Sequence, residues 1–178
     1  MARKYRVISA DSHLEISPER WRGRTPAKFR DRAPRLLKLP NGGDAILIEN
    51  RPLSVLGLAV TGKPYQEYRP TGVNYDGNAG TGSPEQRVGE QERDGVDAEV
   101  MFTGPGMVRF WRGIQEDAVF NAVVHAYNEF LAEEYCAPAR DRLLAMAVIP
   151  TTGVESALKE MEYCARAGLK GVMLANFR

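Results

Sequence analysis

Two side chains that can ligate a metal follow the first apolar stretch of the chain. Residues 5–10 predict a short buried strand, and Asp11 and His13 come directly after it. Side chains at positions i and i+2 of extended backbone leave the same face, so the carboxylate and the imidazole can converge on one point. Zinc and similar divalent ions accept both groups but take three protein ligands at a catalytic site. The pair therefore predicts part of a metal site; the alternative is an aspartate that caps the next turn and a histidine that packs nearby.

Three other side chains are candidates by position. Glu15 shares the face of Asp11 and His13 if the extended backbone continues, which makes it either a substrate contact or a hydrogen-bonded structural carboxylate. Asn176 lies near the end of the last predicted strand and faces the same edge of the sheet in one of two registers. His125 is expected on a helix flank near Glu129, since its separation from Cys136 is too long for a nucleophile and base pair.

The elements that must position these residues alternate between strand and helix. Helices are predicted from Ser83 to Gly95, from Asp117 to about residue 137, and from a capping box of Thr152 and Glu155 to Gly168. The helix after Asp117 has an apolar face, formed by Phe120, Val124, Tyr127, Leu131 and Tyr135. The intervening apolar runs predict strands over residues 98–102, 143–149 and 170–177. This order is typical of parallel α/β units, whose catalytic residues lie at the carboxyl ends of the strands.

Residues 23–82 interrupt this pattern and read as an insertion. Ser17 and Pro18 predict a short helix before it, and within it residues 45–48 can form a small hairpin with residues 53–58. The spacing of Gly57, Gly62 and Lys63 matches a phosphate loop, but Pro64 replaces the required Ser or Thr and no helix follows, which argues against a nucleotide site. Long insertions in compact domains commonly form lids or walls of a site.

Composition bounds the remaining choices. A chain of 178 residues with 43% apolar and 26% charged residues and a net charge of +1 fits one globular domain over residues 1–178. The start is too short in apolar residues for a signal peptide or a membrane span, and the two cysteines suit free thiols, so we expect a cytoplasmic protein with no membrane partner. Arginines and lysines cluster between Arg20 and Lys38; a solvated face or a rim that favours anionic substrates fits better than a nucleic-acid partner.

With these residues in view, the chain resembles the metal-dependent amidohydrolase superfamily. The closer resemblance is to the branch of aminocarboxymuconate semialdehyde decarboxylase and the resorcylate and dihydroxybenzoate decarboxylases. It is carried by Ala-Asp-Ser-His-Leu-Glu at residues 10–15 and by four further segments, residues 94–98, 127–136, 141–150 and 168–172. The fold it implies is α/β: the amino-terminal half, about four strands, of a distorted (β/α)8 barrel with a long insertion after strand 1.

The resemblance also implies a function and a limit to it. Asp11 and His13 match the first two family ligands of a divalent metal, most often zinc, with manganese or magnesium as alternatives. The family completes the site with residues at strands 5 and 8 and a histidine near strand 6, which have no counterpart here, so no catalytic residue is assigned. We expect a metal-dependent hydrolase or nonoxidative decarboxylase for a small, carboxylate-bearing substrate, in incomplete form. The alternative is a non-catalytic half-barrel that needs another chain; in either case the open edges favour self-association into a homo-oligomer.

Overall fold

The computed structural model describes residues 4–54, 63–68, 74–75, 79–104, 111 and 113–174. The strands in these ranges are β1 (Ile8–Leu14), β2 (Arg35–Lys38), β3 (Asp44–Ile48), β4 (Arg51–Ser54), β5 (Ala98–Thr103), β6 (Leu143–Val148) and β7 (Gly171–Met173). The α-helices are α1 (Pro84–Asp94), α2 (Asp117–Phe130) and α3 (Val154–Ala167). Short 3₁₀ turns occupy Pro18–Arg20, Arg22–Arg24, Ala27–Arg32, Tyr65–Glu67 and Ala137–Ala139.

The main sheet is parallel and has the order β1-β5-β6-β7. The helices α1, α2 and α3 connect its strands in sequence, as repeated βα units require. This confirms the predicted α/β fold, with β1, β5, β6 and β7 as the first four strands of a half-barrel. The strands β1 and β7 lie at its edges.

The ends of the helices follow the local sequence in two cases and depart from it in one. The Ser83 hydroxyl accepts a hydrogen bond from the Gln86 amide at 3.2 Å, and Gly95 ends α1 with φ 71°, as predicted. Gly168 ends α3 in the same left-handed conformation. The predicted capping box at the start of α3 is wrong, because the Thr152 hydroxyl donates to Asn121 on α2 and no side chain caps α3.

The core forms where α2 packs on the sheet and on the start of the insertion. The apolar face predicted for this helix is confirmed, since all five of its side chains are buried. Trp21, Trp111 and Tyr127 pack edge to face around one another, with ring centroids 5.0–5.5 Å apart. Beyond Phe130 the helix widens into a π turn over Leu131–Tyr135. The aromatic cluster therefore fixes Trp21, just before the insertion, against α2.

The helix α3 exposes its apolar stripe and buries polar atoms. Val154, Leu158 and Met161 are 77%, 54% and 38% exposed, whereas Glu160 and Cys164 are buried. Glu160 tolerates burial because its carboxylate accepts hydrogen bonds from Asn128 and contacts His125, both on α2.

The insertion contains more structure than predicted. The strands β3 and β4 form the expected antiparallel hairpin, and β2 adds a third strand. The turn between β3 and β4 places Glu49 and Asn50 at φ 43° and 68°, the combination that two-residue hairpin loops need. The predicted helix at Ser17 and Pro18 is only a single 3₁₀ turn.

The stretch of positive charge between Arg20 and Lys38 is not a free basic face. Arg20 and Arg24 reach acidic side chains at the end of α2 and on the π turn that follows it, with Arg24 2.8 Å from Glu133. Arg32 lies 2.6 Å from Glu49. Partners distant in the sequence thus neutralise much of this charge.

The first strand differs most from its prediction. It begins at Ile8 and runs through Asp11 and His13 to Leu14, so the two candidate ligands lie within the strand. Tyr5, Val7 and Ile8 are 40–50% exposed because β1 is an edge strand, and the expected burial of residues 5–10 is wrong. The last strand spans only Gly171–Met173, and residues 175–178 lie outside the described ranges. Among the helices that the structure describes, none combines the length and apolar character needed to cross a membrane.

Candidate metal centre

Asp11 and His13 lie together on the face of the sheet opposite the helices. His13 pairs with Phe102 across β1 and β5, whereas the neighbouring residues Ser12 and Leu14 pair with Met101 and Thr103, which are buried toward the helices. The side chains of Asp11 and His13 are 84% and 48% exposed. Their predicted convergence is geometrically possible, with Asp11 Oδ1 3.7 Å from His13 Nε2.

The two donor atoms fit one divalent cation. Atoms that each bind a metal at about 2.1 Å can be at most about 4.2 Å apart, so the observed separation allows both to reach a common point. A carboxylate oxygen and an imidazole nitrogen also suit zinc, manganese or magnesium to different degrees. In the described part of the chain, no cluster of three His, Cys, Asp or Glu side chains could hold a metal ion.

Glu15 lies beside the carboxyl end of β5. A Cβ atom at Gly104 would come within 2.3 Å of Glu15 Oε1, so this carboxylate occupies space that any other residue at position 104 would need. Burial raises the pKa of Glu15 to about 6. Within the described ranges, no hydrogen bond or ion pair reaches its side chain.

Comparison with known proteins supports the architecture. No family model matches the chain, and no curated protein matches it. A crystal structure of an amidohydrolase from Mycobacterium avium subsp. paratuberculosis superposes with a TM-score of 0.69 at 17% identity, over 96% of this chain and 49% of the other. The structure of 2,6-dihydroxybenzoate decarboxylase from Rhizobium superposes with a TM-score of 0.53 at 15% identity, over 98% of this chain and 39% of the decarboxylase chain. The fold is that of half a (β/α)8 barrel, and the chain spans about half the length of the first of these structures.

The half-barrel fold explains what several of the segments that carry the resemblance do. Asp97 accepts hydrogen bonds from the Arg6 and Val7 amides at 2.7 and 2.9 Å, and Arg142 donates to the Asp97 carbonyl. These residues precede β1, β5 and β6, so they tie together the amino ends of three strands. In (β/α)8 barrels, the amino-terminal ends of the strands serve stability, and the carboxyl-terminal ends carry the active site.

A group of polar residues under the metal pair escaped prediction. Glu99 on β5 accepts hydrogen bonds from Ser12 on β1 and from Arg87 and Gln91 on α1. Burial disfavours the charged form, but these hydrogen bonds and the Arg87 charge outweigh it and lower the pKa of Glu99. The signal for this group was a single acidic residue inside the apolar run of residues 98–103.

The other residues that the sequence analysis considered are not placed at the metal pair. His125 is on the flank of α2 near Glu129, as predicted, and its hydrogen-bond partner is Glu160 on α3, at 3.0 Å. This hydrogen bond raises the pKa of His125. Cys136 is a buried free thiol. Asn176 and most of the segment with phosphate-loop spacing lie outside the described residues, so both interpretations stay predictions.

Proposed function

We propose that this half-barrel supplies the first two ligands of a divalent metal site in an amidohydrolase-type enzyme. The observation that carries the proposal is the placement of Asp11 Oδ1 and His13 Nε2 3.7 Å apart on the exposed face of a parallel sheet. A carboxylate and an imidazole that lie this close together on an exposed face are both accessible to a cation. A cation there would polarise an oxygen of the substrate as a Lewis acid.

The substrate class is inferred from the neighbours and from the chain's own residues. A dihydroxybenzoate decarboxylase among the structural neighbours favours a small, carboxylate-bearing substrate, transformed by hydrolysis or nonoxidative decarboxylation. Glu15 is our candidate for a substrate contact, because its side chain lacks a hydrogen-bond partner in the described structure and lies beside Gly104 at the carboxyl end of β5. We also propose Asn176 as a second substrate contact. The proposed metal is zinc, and the proposed compartment is the cytoplasm.

The chain's two histidines make the metal proposal directly testable. Imidazole Cε1–H resonances, assigned with His125→Gln, are followed by NMR during a Zn²⁺ titration. We expect the His13 signal to shift and saturate while the His125 signal does not. Asp11→Asn should weaken the response of the His13 signal, whereas Asp31→Asn, which changes an exposed aspartate of the insertion, should leave it unchanged. His13→Gln should lower the Zn²⁺ affinity measured by calorimetry.

Two outcomes would contradict this assignment. Equal shifts at both histidines would indicate unspecific binding, and no shift at His13 would remove the metal pair. With two ligands where three are usual, affinity should be low and turnover of carboxylate substrates by this chain little or none. Nanomolar affinity that depends on His13 would show that the chain holds a further ligand.

A non-catalytic half-barrel that needs another chain is the second candidate. The observation in its favour is the apolar surface left open at both edges, with Ile8 50% and Leu174 64% exposed. Adding a purified carboxyl-terminal half of a related barrel would separate the two: activity that appears only in the mixture supports the enzyme, and binding without activity supports the second candidate.

A further inference from the structure

A β-bulge in β1 decides which way the metal pair faces. Ser9 pairs with Glu99 and Ser12 pairs with Met101. Three residues of advance along β1 therefore correspond to two along β5, which is one extra residue in β1. In a regular strand, Ser9, Asp11 and His13 would share one face, and Ser9 faces the helices through its partner Glu99. The extra residue reverses this alternation, so that Ser12 joins Ser9 on the helix face and His13 turns to the open face.

A chain of hydrogen bonds holds the bulged conformation. The Ser9 and Ser12 hydroxyl oxygens are 2.8 Å apart, a contact that residues three positions apart cannot make in a regular strand. The Ser12 hydroxyl donates to Glu99 Oε1 at 2.9 Å. An ionised carboxylate only accepts, so the Ser12 proton is committed to Glu99 and Ser9 must be the donor to Ser12.

Residues of α1 hold Glu99, the last member of this series of hydrogen bonds. Arg87 donates hydrogen bonds to both carboxylate oxygens of Glu99, at 2.7 and 2.8 Å, and Gln91 donates to Oε2 at 2.8 Å. All three side chains are largely buried, and α1 carries two of them. The helix thus fixes Glu99, and Glu99 fixes Ser12, the residue between the two proposed ligands.

We propose that Ser12 and Glu99 are positioning residues, which hold the bulge and thereby keep Asp11 and His13 on the same open face. The inference rests on the proposed function, since it gives the pair a purpose, but the bulge itself can be tested without metal. Loss of the Ser12 hydroxyl should allow β1 to return toward regular alternation, which would turn His13 toward the helices.

Two readouts test this in the full chain. The first is the nuclear Overhauser contact expected between the His13 and Phe102 rings, because the two residues are paired across β1 and β5. The second is the Zn²⁺ affinity reported by the His13 Cε1–H resonance. Ser12→Ala should weaken the contact and lower the affinity about ten-fold, which corresponds to about one molecule in ten that keeps the bulged conformation. Ser12→Thr retains the hydroxyl and should retain both signals.

Glu160→Gln is the matched control, because Glu160 and Glu99 are each 8% exposed but Glu160 lies between α2 and α3. It should change neither readout, even if it lowers the melting temperature as much as Glu99→Gln. Ser9→Ala gives a milder test if Ser12→Ala does not fold. A folded Ser12→Ala protein with wild-type ring contact and affinity overturns the inference. If wild-type protein shows the ring contact but no Zn²⁺ response, the metal proposal fails and the contact alone decides whether Ser12 holds the bulge.

Discussion

Replacing Arg87 by Met should destabilise the fold far more than a surface arginine does. The Arg87 and Glu99 side chains are only 13% and 10% exposed, so Met would leave a buried carboxylate without its charge partner. Removal of one member of a buried pair costs about 3–5 kcal/mol. Gln91 and Ser12 still donate to Glu99, so we expect about 2–3 kcal/mol.

The pH dependence of this loss has a defined sign. Because the pKa of Glu99 is lowered in the folded protein, its stabilising contribution is present above the ordinary glutamate pKa and is lost as pH falls through the folded value. The cost of Arg87→Met should therefore be full at neutral pH and smaller in acid. Urea denaturation followed by the fluorescence of the buried Trp21 and Trp111 measures it.

Two variants control this prediction. Arg93→Met removes an exposed pair with Asp94 from the same helix, with side chains 66% and 58% exposed, and should cost at most about 0.5 kcal/mol. Arg87→Met combined with Glu99→Gln should recover part of the loss, since no charge is left unpaired. A loss for Arg87→Met no larger than that of Arg93→Met, or no recovery in the double variant, would refute the reasoning.

Three further predictions concern other parts of the molecule. Asn128→Ala removes bonds to both the amide and the carbonyl of Val148, at 2.9 and 2.8 Å; we expect a loss of about 2–3 kcal/mol and faster hydrogen exchange at Val148, and unchanged exchange there would contradict this. The raised pKa of His125 means that its attraction to Glu160 stabilises the fold below the ordinary histidine pKa of about 6.5 and is lost as pH rises through the folded value. At 45% exposure the effect should stay within about 1 kcal/mol, and His125→Gln should flatten the melting temperature between pH 5.5 and 8.5, whereas parallel curves would speak against the pair. The open edges β1 and β7 should make the chain self-associate in light scattering across a concentration series; a monodisperse monomer with a cooperative melt would show that the four-stranded sheet is self-sufficient.

Local patterns in the sequence were sufficient for the helices and for the order of the sheet. Ser83 and Gly95 mark the ends of α1 because capping depends on atoms within one turn. The apolar face of α2 follows from helical spacing alone. Thr152 was misread because its hydroxyl found Asn121, a partner 31 residues away that no local rule includes.

The sequence indicated which residues form the candidate site, but not what orients their side chains. The spacing of Asp11 and His13 indicated a shared face, and the structure shows that face open. Why the pair faces outward depends on the bulge, and the bulge depends on Ser12 meeting Glu99, 87 residues later. Pairings of this kind arise from tertiary packing, which periodicity in one strand cannot report.

The long insertion between β1 and β5 also sets the order in which the protein can assemble. The Val7 amide bonds to Asp97, 90 residues further on, whereas much shorter segments that contain α2 and α3 join β5 to β6 and β6 to β7. Contacts across such a span form slowly, because a large loop must close before any of them contributes. On a ribosome, β1 has no strand to pair with until β5 has emerged. The strand that carries Asp11 and His13 is therefore expected to dock late, onto a partner strand that later parts of the chain have already organised.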